Sequence, residues 1–305
     1  RYRKLVSRAF TVKAVKALRE RTEEIATELL NNIEDIEDIE ASAHGGGASQ
    51  KSAAPVDLAA RYAAQLPVIV ICEILGVPVS MRQQFLAWGD DAAATLDPGM
   101  SLAEFRRAQR GIDALLDWMR EHFETLRRNP GSDILSDLVN TADADGERLT
   151  ETELLATSLL VLAAGFETTV NLIGNGIALL HAHPEQRALL AERPELWPNA
   201  VDEILRYDSP VQRTVRLALR DTEVHGAAIP KEALVVTMLG AANRDPKVFP
   251  DPNRFDITRE NAGRHLAFSS GIHYCLGASL ARMEGEVALR ALFQRFPHLQ
   301  LVGEP

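Results

Sequence analysis

The stretch FSSGIHYCLG, residues 268–277, concentrates residue types that can hold a metal. A thiolate ligand must be deprotonated, and a helix N-terminus with its free backbone N–H groups lowers the pKa of a thiol. Cys275 stands just before a helical pattern, and Gly271 and Gly277 remove side chains on either side of it. The backbone could therefore approach a flat cofactor closely, with Phe268 opening the loop and His273 able to reach a carboxylate at the cofactor's edge. Cys275 taken alone would read as a buried, inert cysteine, which is how Cys72 reads in its apolar helix. The whole pattern F-x-x-G-x-H-x-C-x-G is far more specific, with a chance expectation of about 10⁻⁵ in a chain of this composition. Zinc is disfavoured, because His273 and Cys275 have no C-x-x-C or H-x-x-x-H nearby.

A second constellation is AAGFETT, residues 163–169, where small residues adjoin a carboxylate and two hydroxyls. Gly165 inside a helix costs about 1 kcal/mol against alanine, which makes sense if something must lie close to the backbone. A threonine inside a helix can divert a backbone carbonyl and open a water-sized notch beside Thr168, and a notch with an acid, Glu167, beside an alcohol, Thr168, suits proton delivery. A helix–helix contact through small residues is the plainer alternative. Glu203 and Arg206 form E-x-x-R, one turn apart and able to pair bidentately, though in isolation the pattern also fits an exposed helix pair. GASLA at 277–281 and GNGIAL at 174–179 imitate a nucleophile elbow and a dinucleotide loop without the required glycines or strand, and DADGERL lacks the acid a calcium loop needs.

The elements that must position these residues are helices first. Apolar spacing from Val12 to Ile33 runs into the acidic stretch ending at Glu40, and residues 41–54, small and Gly-rich, read as a flexible loop. Helical patterning resumes from Val56 to Leu75, a short helix and a loose link fill Ser80 to Pro98, and an amphipathic helix spans Leu102 to Arg128. Thr150 with Glu153 makes a capping box that opens roughly 30 residues of uninterrupted helix, about 45 Å long. Pro184 and Pro198 open two more helices. Strand text follows only at Thr214–Leu219, the VHG turn and Leu234–Leu239, and Leu276–Phe296 returns to helix. The expectation is a mainly α chain with a small β portion and a long central helix, as one domain over 1–305.

The 305 residues carry 46% hydrophobic and 25% charged side chains, enough to bury a large core, and a net charge of −10 argues against nucleic-acid binding. Two cysteines cannot build a disulfide framework, so the chain reads as cytoplasmic. The apolar run Leu66–Leu75 contains Glu73 and is too short to span a bilayer, so a soluble protein without membrane insertion is expected. The text opens at Arg1 in the middle of a basic helical pattern, as a piece of a longer protein would.

Together these residues resemble the cytochrome P450 family of haem-thiolate monooxygenases, of the soluble bacterial type. FSSGIHYCLG resembles that family's haem loop, AGFETT its oxygen-activating groove and EILR its structural E-x-x-R, in the family's order. The resemblance implies haem b (iron protoporphyrin IX) with Cys275 as metal ligand, and Glu167 and Thr168 as catalytic proton carriers. It implies that Arg3, Arg216 and His273 hold the haem propionates while Phe268, Gly277 and Ala164 contact the cofactor. Arg254 in PNRFD would join Glu203 and Arg206 in a buried triad, and Ala163, Ala164, Val211 and Gln212 would line the pocket. The implied function is insertion of one oxygen atom from O2 into an apolar small organic substrate, with electrons from a ferredoxin-type donor. A haem-thiolate gas or redox sensor is the alternative. Basic side chains crowd the first twenty-one residues against one acid, Glu20, and would steer an acidic donor, with Lys4 and Arg8 in the docking set.

Overall fold

A computed structural model describes residues 12–43, 55–95, 99–131, 133–140 and 148–302, together with Arg3, Val6, Ser7 and Gly146. Among the described residues the chain is mainly helical, as expected, and its strands form two small antiparallel sheets. It divides into two compact units, residues 1–174 with 279–305, and residues 175–278.

In the first unit, helix α1 (Val12–Ala43) is longer than the sequence reading allowed. The acidic run continues the helix and takes in residues 41–43 of the expected loop; residues 44–54 lie outside the described residues. A wide turn at Ala59–Ala63, where the Ala64 N–H reaches back to the Ala59 carbonyl at 2.9 Å, precedes α2 (Gln65–Ile74). Pro67 explains the widening, since it lacks the N–H that would have bonded to the Ala63 carbonyl. The turn buries Tyr62, whose hydroxyl donates to the Ala288 carbonyl at 2.8 Å. Helix α3 (Arg82–Ala94) is the expected helix of the Ser80–Pro98 segment and takes up most of it, while residues 96–98 of the expected link lie outside the described residues. Helix α4 spans Leu102–Arg128, the expected range, opened by a capping box between Ser101 and Glu104. A short α5 (Ile134–Asn140) follows; the residues of DADGERL before and after Gly146 lie mostly outside the described ones.

The long helix begins at the expected Thr150–Glu153 box, the Glu153 N–H on Thr150 Oγ1 at 3.2 Å and the Thr150 N–H on Glu153 Oε2 at 2.8 Å. It continues over 32 residues to Ala182, broken at Phe166 into α6 (Glu151–Gly165) and α7 (Glu167–Ala182). By length and composition it could cross a bilayer, a candidate that testing Leu66–Leu75 alone overlooked. The same length and composition suit a core helix, and Leu154, Leu162, Phe166, Leu172 and Ile173 are all buried. Gly165 lets α6 lie against α2: a Cβ built there would stand 2.9 Å from Ile71 Cδ1. The last helix of this unit, α10 (Ala278–Arg295), is tied to α1 by Arg19, which holds Glu286 through two hydrogen bonds of 3.1 and 2.7 Å.

The second unit holds α8 (Pro184–Glu192) and α9 (Trp197–Tyr207), both opened by proline as expected, and the sheets. Strands β1 (Arg213–Leu217) and β4 (Leu234–Met238) pair with Val215 opposite Val236; β2 (Thr222–Val224) and β3 (Ala227–Ile229) flank the turn at His225 and Gly226, both with positive φ. Trp197, Val201, Ile204, Phe249, Phe255 and Ile257 form its core.

Candidate functional site

In the second unit, the Cys275 loop leaves an irregular segment and is closed on itself. The Cys275 N–H donates to the Phe268 carbonyl at 2.9 Å, across a turn that needs positive φ at Ser269 (59°) and Gly271 (63°). Cβ atoms built on Gly271 and Gly277 would meet nothing within 4 Å, so both flanks of the loop face open space. Ile272 and Tyr274 are exposed apolar side chains there, and the Phe268 ring packs edge-on against Tyr274 with centroids 6.4 Å apart. Phe268 and Cys275 are half-buried and His273 is exposed. Arg216 on β1 is also exposed, its Nη1 donating to the Val215 carbonyl at 2.9 Å. Gln212, an expected pocket residue, is tied down locally by bonds to Asp208 and Ser209.

The E-x-x-R pair is the anchor beneath this segment. Glu203 and Arg206 are both fully buried on α9, so the exposed-pair alternative falls away. The remaining Arg206 protons go to the carbonyls of Asn243, Pro252 and Arg254 at 2.9 to 3.2 Å. The expected third member is not Arg254, whose side chain is 64% exposed and sits 3.7 Å from Asp256. Arg259 takes that place, with Nε 3.2 Å from Glu203 Oε2 and its other nitrogens on the carbonyls of Pro250, Asp251 and Arg254. Asp251 stands in this segment with positive φ, and a buried carboxylate between two guanidinium groups is tolerable only because its hydrogen bonds are made.

In the first unit, the long helix is broken at Phe166, where the sequence placed a notch. The Thr169 and Val170 amides both bond the Phe166 carbonyl, at 3.1 and 3.0 Å. The carbonyls of Ala164 and Gly165 are taken by hydroxyls instead, Thr168 Oγ1 at 2.9 Å and Thr169 Oγ1 at 3.1 Å. Ala164 and Glu167 are exposed, and Ala163 and Thr168 are half-buried. The helix-contact alternative describes Gly165 and the buried Thr169, which face inward, but not Ala164, Glu167 and Thr168.

Cys72 is fully buried, and burial pushes its thiol up to about 11, the behaviour of an inert cysteine. The basic N-terminal set is reduced: Arg19 is spent on Glu286, and Arg21 on Glu73, Glu24 and Glu28. Arg3 is exposed, whereas Lys4 and Arg8 lie outside the described residues. Among the described residues no group of three or more His, Cys, Asp or Glu side chains could hold a metal, so a metal here depends on the single thiol. The sequence reading missed His265, Asp202 and Asn243, which hold the approach to the loop and carry no motif of their own.

A thiol in a closed loop, with open flanks and the exposed apolar side chains of Ile272 and Tyr274, fits the donor set of a haem-thiolate protein. The chain belongs to the cytochrome P450 family, whose model matches residues 90–304. It is 52% identical over 305 residues to the putative cytochrome P450 140 of Mycobacterium tuberculosis, covering 99% of this chain and 66% of that protein. To the 6-deoxyerythronolide B hydroxylase of Saccharopolyspora erythraea it is 45% identical over 301 residues, covering 99% of this chain and 69% of the relative. The chain thus spans roughly two thirds of the length of these relatives. Among solved structures it is similar to P450BioI in complex with a fatty-acid-ligated acyl carrier protein, at TM-score 0.88 and 35% identity over 99% of this chain and 73% of that one. CYP109E1 from Bacillus megaterium in complex with testosterone matches at TM-score 0.85 and 35% identity over 97% and 75%. The family implies a haem, and the open flanks at Gly271 and Gly277 fit one.

Proposed function

We propose that the protein carrying this chain is a soluble, cytoplasmic haem-dependent monooxygenase that inserts one oxygen atom from O2 into an apolar organic substrate, using electrons from a ferredoxin-type donor. When bound, haem b supplies the activation of O2 and the transfer of the oxygen atom. Cys275 would hold the iron, Arg3, Arg216 and His273 the carboxylates at the cofactor's edge, and Phe268, Gly277 and Ala164 would lie against it. The proton work falls to α7: the exposed Glu167 carboxylate exchanges protons with water, and the neighbouring Thr168 hydroxyl passes them on from Oγ1. A hydroxyl already turned from the ladder onto the Ala164 carbonyl can do this without unwinding the helix further. That acid–alcohol pair at the helix break favours turnover over a sensor, which needs no proton delivery.

The relatives named 6-deoxyerythronolide B hydroxylase and vitamin D(3) 25-hydroxylase, and the neighbour CYP109E1, solved in complex with testosterone and with corticosterone, support a large, apolar, ring-containing substrate. In the holoenzyme, Cys275→Ser should abolish the thiolate-type red-shifted Soret band of the ferrous carbonyl complex, and Cys72→Ser should leave it intact. A band retained in Cys275→Ser overturns the ligand assignment. Titrating the holoenzyme with those four compounds should give ligand-induced Soret shifts; no shift with any of them would remove this substrate class.

A further inference from the structure

Three consecutive residues leading into the Cys275 loop are each held by a side-chain hydrogen bond. The Leu266 N–H donates to Asn243 Oδ1 at 2.6 Å, and Asn243, fully buried, donates from Nδ2 to Ser209 Oγ at 2.8 Å while its carbonyl receives Arg206. The Ala267 N–H lies 3.1 Å from His265 Nδ1, and His265 Nε2 lies 3.1 Å from Asp202 Oδ1. A backbone N–H can only donate, so Nδ1 is the acceptor, the imidazole proton sits on Nε2, and that proton is donated to Asp202. The imidazole is 1% exposed and its ring rests against Phe268, centroids 5.6 Å apart. Phe268 in turn gives its carbonyl to the Cys275 N–H. Asp202 adjoins Glu203 on α9, so a run of hydrogen bonds and ring contact connects the E-x-x-R helix to the thiol's own backbone.

We propose that His265, oriented by Asp202, is a positioning residue for Cys275: it fixes the tautomer and place of the acceptor that pins the loop, and through Phe268 sets where the thiol stands. This rests on the reading of Cys275 as the haem ligand. A neutral ring that both donates and accepts is required, which apolar packing at the same position would not supply.

His265→Phe keeps a ring against Phe268 and removes both hydrogen bonds. Without haem, the Ala267 and Cys275 amides should exchange about tenfold faster, the change expected for loss of one ordinary buried hydrogen bond. In the holoenzyme the ferrous carbonyl band should move in part from the thiolate position to the shorter-wavelength position of a neutral thiol. His265→Asn, which can present Oδ1 in place of Nδ1, should restore Ala267 protection and most of the thiolate band. If His265→Phe does not fold, Asp202→Ala, with Asp202→Asn as its conservative partner, carries the same comparison. A full thiolate band together with unprotected amides would overturn the proposal, as would a protection pattern identical to wild type. Cys275→Ser run alongside separates this failure from that of the ligand assignment, since only the latter leaves the band in the serine variant.

Discussion

Arg206 donates two hydrogen bonds to Glu203, Nε to Oε2 at 2.6 Å and Nη2 to Oε1 at 2.8 Å, with neither side chain exposed to solvent. Breaking one partner of such a pair strands a buried charge, so Arg206→Leu should lower stability by about 3–5 kcal/mol in urea unfolding. Arg259→Leu should also destabilise, because Glu203 then loses its second guanidinium. Arg254→Ala should stay within about 0.5 kcal/mol of wild type, as an exposed arginine does. Equal effects at 254 and 259 would contradict the assignment of Arg259 as the third member.

The close approach of α6 and α2 at Gly165 gives a second test. At the last residue of α6 alanine gains less than the about 1 kcal/mol of a helix interior. Its Cβ would, however, stand 2.9 Å from Ile71 Cδ1, and Ile71 is only 3% exposed, so it has little room to withdraw. Gly165→Ala is therefore expected to be destabilising by about 1–3 kcal/mol, the range for overpacking a filled site. Adding Ile71→Val removes the offending methyl and should recover part of the loss. A double-mutant cycle showing no coupling between 165 and 71 would remove this account of the glycine.

Much of this architecture was legible because local signals are strong where chemistry is local. The Thr150–Glu153 box, Pro184, Pro198 and the span Leu102–Arg128 depend on neighbours within one turn of helix, and each was readable. Arg254 and Arg259 stand five residues apart in one irregular segment, and no spacing rule says which guanidinium points inward. The acidic run after Ile33 lost its apolar spacing yet continues as helix to Ala43, since charged side chains permit a solvated helix as readily as a loop. His265 escaped notice for another reason: its partners, Asp202 and the Ala267 amide, lie sixty-three and two residues away, and no spacing rule joins them.

His122 supplies a pH prediction. Its Nε2 meets the Leu75 carbonyl at 3.2 Å and its ring stacks on Trp118 with centroids 4.5 Å apart. Burial pulls its pKa below the ordinary value of 6.5, against the smaller opposing effects of the Leu75 carbonyl and Asp133. The unfolded chain then binds the proton more readily than the folded one. The contribution is fully present above about pH 6.5 and is lost as pH falls through the lowered folded value. The urea midpoint of wild type should therefore drop between pH 7.5 and 5.5 by more than that of His122→Gln. Equal drops in the two proteins would show that the imidazole is not the titrating group.

On the proposed reading, the break at Phe166 separates two jobs that a regular helix would merge. Thr169 Oγ1 satisfies the Gly165 carbonyl and is buried, so it keeps the break in shape; Thr168 Oγ1 satisfies the Ala164 carbonyl from a half-buried position beside Glu167. Thr168→Ala should leave ligand-induced Soret shifts and stability nearly unchanged, because the break persists, while a larger share of the electrons consumed appears as hydrogen peroxide or water instead of product. Glu167→Gln should slow turnover without that degree of diversion, since the hydroxyl remains and only its proton supply is impaired. Thr169→Ala should show the opposite profile, losing stability first, because it strips the Gly165 carbonyl of its partner in a buried setting. A sensor would be indifferent to the Thr168 hydroxyl. Unchanged coupling of electron use to product in both Thr168→Ala and Glu167→Gln would therefore remove the proton-delivery role and leave the sensor reading standing.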